Sequence, residues 1–242
     1  MGWKGLDGAA RLMKKIGRSI FSRTTMVFYE YLYEGPDPWR ESPQDGLTFR
    51  ALLPSDLPGF ASLLALQRDA EKVFLPADMP EVEARLSRGE KCYICESDGR
   101  IIGYSWFAKE SKYIPEIKST IRLGSGDLYL YNSYILKAHR HQNVVGGNLN
   151  AARKDFIPGG FVREITATMS WNRAAGGSLS KLNFRVAGLV TTGYLLTFRY
   201  MINTCKDIAF LREGGTCELY RRLFARFRAA SFSRKVSSCR KT

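Results

Sequence analysis

Histidine is nearly absent from this chain of 242 residues, which contains only His139 and His141. Two imidazoles two positions apart do not make a four-ligand zinc site, and the five cysteines do not complete one. Their one close pair, Cys92 and Cys95, falls in a Lys-Cys-Tyr-Ile-Cys-Glu segment that reads as a strand, where residues three apart face opposite ways. No metal is expected. Long hydrophobic runs are missing too: the best, residues 186–196, is short of the ~18 residues of a membrane span and is broken by Thr191, Thr192 and Gly193. The first residues are basic but lack a continuous apolar stretch followed by a small-residue cleavage site, so no secretory signal is expected and the chain is placed in the cytoplasm. What remains is ordinary in bulk. A composition of 45% hydrophobic, 12% aromatic and 25% charged residues excludes a disordered, collagen-like or low-complexity protein, and the length suits one large domain with extensions or two small ones.

Acidic charge is scarce, with 23 Asp and Glu against 37 Lys and Arg, giving a net charge of +14. Such an excess raises nucleic acid, an anionic membrane or an acidic protein as partners. Its distribution narrows the choice. Residues 1–23 carry a net +5 and residues 205–242 a net +7, which leaves the middle nearly neutral at +2. In residues 8–22, Ala9, Met13, Ile16 and Ile20 recur at helical spacing with Arg11, Lys14, Lys15 and Arg18 elsewhere on the wheel. This reads as a basic amphipathic helix, docked either on its own domain or on a membrane surface at the inner face. Near the other end, Tyr220, Leu223, Phe224 and Phe227 also follow helical spacing, which favours an amphipathic helix over a nucleic-acid groove, so nucleic acid is not the expected partner. The serine-rich, basic residues 231–242 read as disordered. The expected organisation is a basic helical segment over 1–33, a linker over 34–46 with Pro36, Pro38 and Pro43, a domain over 47–203, and a basic helix with a tail over 204–242.

Within the domain, residues 47–53 alternate as a strand, and residues 56–66 and 80–86 read as helices, the first with Ser55 as N-cap and Pro58 in its first turns. Residues 92–96 and 101–108 form a hairpin across Ser97-Asp98-Gly99-Arg100, an Asp-Gly turn signal. A tyrosine-rich strand over 128–136 precedes a helix over 144–156, stopped by Pro158-Gly159-Gly160. A strand over 161–169, a helix over 172–182 and a strand pair over 184–190 and 194–202 complete the order. A helix between neighbouring strands implies an α/β mixed sheet, partly parallel, twisted and flanked by helices.

That order, together with particular residues, resembles the GNAT superfamily of acetyl-CoA-dependent N-acetyltransferases over residues 47–201. The hairpin Glu96-Ser-Asp-Gly-Arg-Ile-Ile-Gly103-Tyr looks like the family's second and third strands. Ser170-Trp-Asn172-Arg-Ala-Ala175, followed by Lys181-Leu-Asn-Phe184, looks like its N-x-x-A-x5-K-L-G-F helix, with Asn183 in place of glycine. Asparagine and glycine both tolerate the left-handed backbone of a helix C-terminus. In the family, an R-x-x-G-x-G or G-x-A loop opens a helix whose amides hold the CoA pyrophosphate, as free N–H groups and the helix dipole require. Here Ile135, Leu136, Arg140, His141, Gln142, Asn143, Val144, Val145, Gly146 and Gly147 occupy that place. Arg140 matches the arginine while Asn143 and Val145 replace the glycines; a one-residue shift instead sets His141 at the arginine and Gly146 at the second glycine. Asn143 can supply positive φ and Val145 still has an amide, so a degraded loop retains a backbone cradle.

The resemblance implies acyl transfer from acetyl-CoA or another acyl-CoA, with Asn172 among the cosubstrate-binding residues. It also implies an acidic base on the strand before the loop and a tyrosine acid seven residues after Asn172. The tyrosine position is Leu179, and its neighbour Ser178 is the candidate that remains. Along the strand, period two groups Asp127, Tyr129, Tyr131, Ser133 and Ile135 on one face. Asp127 is the only carboxylate among them, and it reads either as the base or as a turn residue of Gly124-Ser-Gly-Asp. Tyr129, Tyr131 and Tyr134 line a pocket or fill a core. The family's first two helices shape the acceptor pocket; here they carry Asp69, Glu71, Lys72, Asp78, Glu81 and Glu83, and an acidic mouth suits an amine. Three functions stand against each other: N-acyl transfer from acyl-CoA to a small-molecule amine or amino-sugar, transfer from an acyl carrier protein recruited by the basic ends, and an inactive module at a membrane surface.

Overall fold

The computed structural model describes residues 21–33, 46–71, 75–195 and 198–212. The basic segment expected over 8–22 lies outside the described residues up to residue 20, the proline-rich stretch lies outside them up to residue 45, and the C-terminal helix and tail lie outside from residue 213. Phe21–Leu32 is a strand, β1. Its residues are mostly β-branched or aromatic (Phe21, Thr24, Thr25, Val27, Phe28, Tyr29 and Tyr31), which suits a pleated strand packed on both faces and corrects the helical segment expected to run to residue 33.

The remaining elements are β2 (Leu47–Ala51), α1 (Leu57–Ala70), α2 (Met79–Ser87), β3 (Lys91–Ser97), β4 (Arg100–Ala108), β5 (Lys112–Ile114), β6 (Ser119–Arg122), β7 (Asp127–Ile135), α3 (Val144–Phe156), β8 (Arg163–Met169), α4 (Arg173–Lys181), β9 (Arg185–Leu195), β10 (Phe198–Asn203) and β11 (Ala209–Arg212). Eight strands form one mixed sheet in the order β10-β9-β1-β8-β7-β4-β3-β2, and β11-β6-β5 form a second, smaller one. β1 therefore lies inside the large sheet, between β8 and β9, and β11 extends the fold past the boundary expected at residue 203. Among the described strands, β7 and β8 make the one parallel pair, joined by the crossover helix α3 as parallel strands require. The β3–β4 turn has Asp98 at φ 49° and Gly99 at φ 71°, the two left-handed residues of the tight hairpin that the Asp-Gly signal implies.

Burial follows the alternation of the strands. On one face, Tyr31, Leu128 and Leu130 meet Leu149 and Phe156 of α3 and Leu179 of α4. On the other, Phe28 and Ile165 meet Ile117 and Ile121 near the small sheet, and Ile94 and Trp106 meet Phe60 and Leu63 of α1 and Val82 of α2. Cys92 and Cys95 belong to different clusters, as strand geometry requires, and burial pushes both thiols up, Cys95 to about 12. Helix α3 lies so close to β2 that a Cβ on Gly147 would overlap the Phe49 ring, so this glycine serves packing. Deep under the same helix, Arg153 donates to Glu164 of β8 from Nε (3.1 Å) and Nη2 (2.7 Å), with both side chains almost fully excluded from solvent.

Candidate active site

Parallel pairing of β7 and β8 runs from Asp127↔Arg163 to Leu130↔Thr166 and stops, although both strands continue. Beyond that point β7 stays with β4 as far as Gly103↔Ile135, while β8 stays with β1 as far as Met26↔Met169. The two strands therefore part, and a cleft opens in the middle of the sheet. A bulge marks the place: Trp106 faces Tyr131 and Tyr104 faces Tyr134, so β7 carries one extra residue. Asn132 within it has φ 46°. Such an insertion bends a strand and increases its local twist, which turns β7 away from β8.

Behind the bulge, the Ser133 and Ser105 hydroxyls are 3.0 Å apart, and Asn148 of α3 donates from Nδ2 to Ser105 Oγ at 3.4 Å. Asn148 is buried and its Oδ1 has no hydrogen-bond partner among the described residues. Past Ile135 the chain makes a short turn over Lys137–His139, then takes left-handed backbone at His141 (φ 80°) and Asn143 (φ 50°) before α3 begins at Val144. The left-handed conformation suggested for Asn143 is thus present, as it is for Asn183 (φ 60°) at the end of α4. Helices α2 and α4 are capped by Asp78 and Asn172, each accepting from a backbone N–H. Helix α3 has no such side-chain cap. The N–H groups of Val144, Val145 and Gly146 precede the first-turn bond from Gly147 N–H to Asn143 O at 3.0 Å and have no side-chain cap, with Val144 and Gly146 buried. A Cβ on Gly146 would come within 2.5 Å of Asn143 Oδ1, so the missing side chain lets Asn143 fold over this first turn.

The other expected residues divide. Ile135 and Leu136 pack around Val144, which is buried, and Val145 is partly buried against the core. Gln142 and His139 bond one another at 3.1 Å. Arg140 turns back, donating to Glu71 from Nη2 at 2.7 Å and to the Ile135 carbonyl from Nε at 3.3 Å, so its side chain braces the loop. Asn172 is a helix cap. Ser178 is exposed, while Leu179 points into the core, so the helix does not present a hydroxyl acid at the position where the resemblance sets a tyrosine. A hydroxyl reaches this helix from β1 instead. Tyr29 pairs with Thr166, level with the last parallel pair, and its Oη lies 2.7 Å from where a Cβ of Gly176 would be. Tyr29 falls within the span expected as a helical segment, and its sequence signal is the aromatic and β-branched run around it.

Asp127 is corrected as a base. It opens β7, at the end opposite the cleft, and both carboxylate oxygens are taken by Arg163: Nε to Oδ1 at 2.7 Å and Nη2 to Oδ2 at 2.8 Å, with the Gly124 N–H at 2.9 Å. Burial alone would raise its pKa, but the guanidinium and the Gly124 amide outweigh it and hold the carboxyl below its ordinary 3.8. A carboxylate so held is a turn-and-clamp residue. Its folded pKa is depressed, so its stabilisation is present above about pH 4 and is lost as pH falls through the lower folded value. Asp127→Asn is expected to cost about 1–3 kcal/mol at neutral pH. In urea unfolding, its midpoint and that of the wild type should converge as the pH drops.

A cavity of about 670 Å³ opens on the sheet face opposite α3 and α4. Met26, Ala167, Tyr129, Tyr131 and Asn132 form part of its wall, so it meets the cleft at the bulge. The Tyr129 and Tyr131 rings are stacked, 5.9 Å apart. Of the charged residues expected on the first two helices, Glu81 lines this cavity, and it is paired with Arg85 and Arg88. Glu90 is paired with Arg88 and Lys112. Glu110 and Glu116 are exposed on the same wall, and the Glu116 charge reaches the buried Tyr129 hydroxyl. A second cavity, about 870 Å³, is walled by α1 and the β3–β4 turn; of its three carboxylates, Asp56 and Glu96 are committed to Arg50 and Asp98 belongs to the hairpin turn. Among the described residues no group of three or more His, Cys, Asp and Glu is placed to hold a metal ion, and no helix is long and apolar enough to cross a membrane.

No family model matches the chain, and no curated protein does. Solved structures similar to it include an aminoglycoside acetyltransferase from an uncultured soil metagenomic sample in complex with trehalose, 15% identical over 57% of this chain and 87% of that one, with a TM-score of 0.44. An N-acetyltransferase from Staphylococcus aureus Mu50 is 13% identical over 57% of this chain and 83% of that one, with a TM-score of 0.44. The ribosomal-protein-S18-alanine N-acetyltransferase from Escherichia coli is 14% identical over 57% and 77%, with a TM-score of 0.42.

Proposed function

We propose that the chain is a GNAT-type N-acyltransferase that moves an acyl group from acyl-CoA to the amine of a small molecule. The observation that carries this reading is the parting of the parallel strands β7 and β8 beside an uncapped helix N-terminus. Together they make a slot for an extended arm with an anion cradle at its end. The residues present fit such a cosubstrate. Three N–H groups at the start of α3 suit a pyrophosphate, and the orphaned Asn148 Oδ1 suits an amide N–H. When bound, acyl-CoA supplies an activated carbonyl with a thiolate leaving group.

The chain's own residues have the rest of the work. The cavity over Tyr129 and Tyr131 admits the amine from the opposite face; its wall carries four carboxylates and four cations, and Glu110 and Glu116 are the carboxylates outside the Glu81 and Glu90 ion pairs. Transfer forms a C–N bond and breaks a C–S bond. The proton leaving the nitrogen goes to a carboxylate of this wall or to water beside it, for which Glu116 is the candidate. The thiolate takes a proton from a hydroxyl, and Tyr29, reaching α4 where the expected tyrosine is replaced, is the candidate.

Mixing the full chain with acetyl-CoA and a panel of small primary amines tests the reading: amine-dependent release of free thiol, with an acetyl group added to the amine, is expected. Absence of thiol release across acetyl-CoA and long-chain acyl-CoA would contradict it. Tyr29→Phe keeps the ring and removes the hydroxyl. It should lower kcat about 10²-fold, within the usual range for a general acid, while leaving the thioester Kd unchanged.

A further inference from the structure

We infer that Arg85 is a positioning residue that fixes the β7 bulge through Asn132, so that a helix on the acceptor side sets the shape of the cleft. The inference rests on the acyl-CoA reading of that cleft. Arg85 belongs to the last turn of α2 and is only 8% exposed, an expensive place for a cation unless its donors are satisfied. They are satisfied in a particular way. Nε donates to Glu81, one turn back, at 3.0 Å. With the Asn132 amide turned so that its oxygen faces the guanidinium, Oδ1 accepts from Nη1 at 3.0 Å and from Nη2 at 3.1 Å. The guanidinium also lies against two rings, 5.3 Å from the Trp106 centroid and 5.2 Å from that of Tyr131.

Those partners are not scattered. Trp106 and Tyr131 face each other as the last regular pair of β4 and β7 before the extra residue. Asn132 is the next residue, and it takes left-handed backbone that side chains other than glycine adopt at a cost. One side chain therefore grips both the end of the regular ladder and the irregular residue that follows it. The same bulge stands where β7 has left β8, and Asn132 lines the acceptor cavity. A lysine cannot replace this arrangement, because it lacks the planar fork that stacks between rings while presenting two donors to one oxygen.

The test uses the full chain and three measurements: acetyl-CoA affinity by calorimetry, kcat and KM with a responsive amine, and urea unfolding. Arg85→Met and Arg85→Lys are expected to weaken acetyl-CoA binding or lower kcat by at least 10-fold and, since Arg85 itself lines the acceptor cavity, to change the amine KM as well. Arg85→Met/Asn132→Gly is expected to return to within about 3-fold of wild type, because glycine adopts φ 46° without a brace. A merely structural role for Arg85 does not foresee that rescue. Wild-type behaviour of Arg85→Met, or a double variant no better than Arg85→Met, would overturn the inference. If the wild type binds no thioester, the reading of the cleft fails first. The brace is then judged by an unfolding cycle of Arg85→Met and Asn132→Ala, in which non-additive effects sustain it and additive effects overturn it. Arg85→Lys serves the same cycle if the methionine variant does not fold.

Discussion

Glu164→Gln is expected to destabilise the fold by about 3–5 kcal/mol, lowering the urea midpoint by roughly 1–2 M. The cause is the charge left behind. Arg153 and Glu164 are buried at 2% and 0% side-chain exposure, and their ion pair ties the last turn of α3 to β8. The Arg153 guanidinium lies 4.1 Å from the Tyr31 centroid and 5.5 Å from that of Tyr33, so it is walled by rings with no solvent to retreat to. Neutralising the glutamate takes the carboxylate charge of Oε2 away from a buried cation, and weakening a buried ion pair from one side is costly. Removing both charges is a different experiment. Arg153→Met with Glu164→Leu should recover most of the loss, because a buried pair often contributes little beyond an apolar pair of similar volume. Equal destabilisation by the single and double variants would contradict this account. The pair matters to function through the helix: it anchors the C-terminal end of α3, whose other end opens at the cleft.

Gly146→Val is expected to weaken acetyl-CoA binding by at least 10-fold, about 1.4 kcal/mol or more, with little change in the urea midpoint. A side chain at this position strikes the Asn143 amide folded over the first turn of α3 and adds bulk above the uncapped N–H groups of residues 144–146. Backbone donors hold an anion only if it can approach them. Asn143→Gly should have the opposite sign, leaving the affinity unchanged or raising it, since glycine takes φ 50° freely and removes the overlying amide. Calorimetry on the three proteins checks both. Unaltered affinity in Gly146→Val would show that the cradle lies elsewhere.

The parts of the molecule that could be read from the sequence are those with a clean period or a definite turn signal. Residues 144–156 form the expected helix with the same bounds, and the Asp98-Gly99 turn joins the expected hairpin. Asn143 and Asn183 take the left-handed backbone that their places opposite glycine suggested. β1 is hard to read because the basic amphipathic pattern of residues 8–22 runs directly into a stretch whose β-branched and aromatic residues favour a strand. Tyr29 lies in that same stretch. The short strands β5, β6 and β11, of three or four residues each, give too little alternation to register. The bulge could not be seen for a more basic reason. Asn132 is unremarkable in sequence, and an extra residue exists only relative to the strand opposite. Asp127 shows the converse: period two placed it on a promising face, whereas Arg163, 36 positions away, determines what it does.

The central claim is that the cleft between β7 and β8, with the open start of α3, holds an acyl-CoA. Calorimetric titration of the full chain with acetyl-CoA and with a long-chain acyl-CoA tests it most directly. Micromolar binding of at least one thioester, weakened by Gly146→Val, is the predicted result; no heat from either thioester at millimolar concentration would contradict the account.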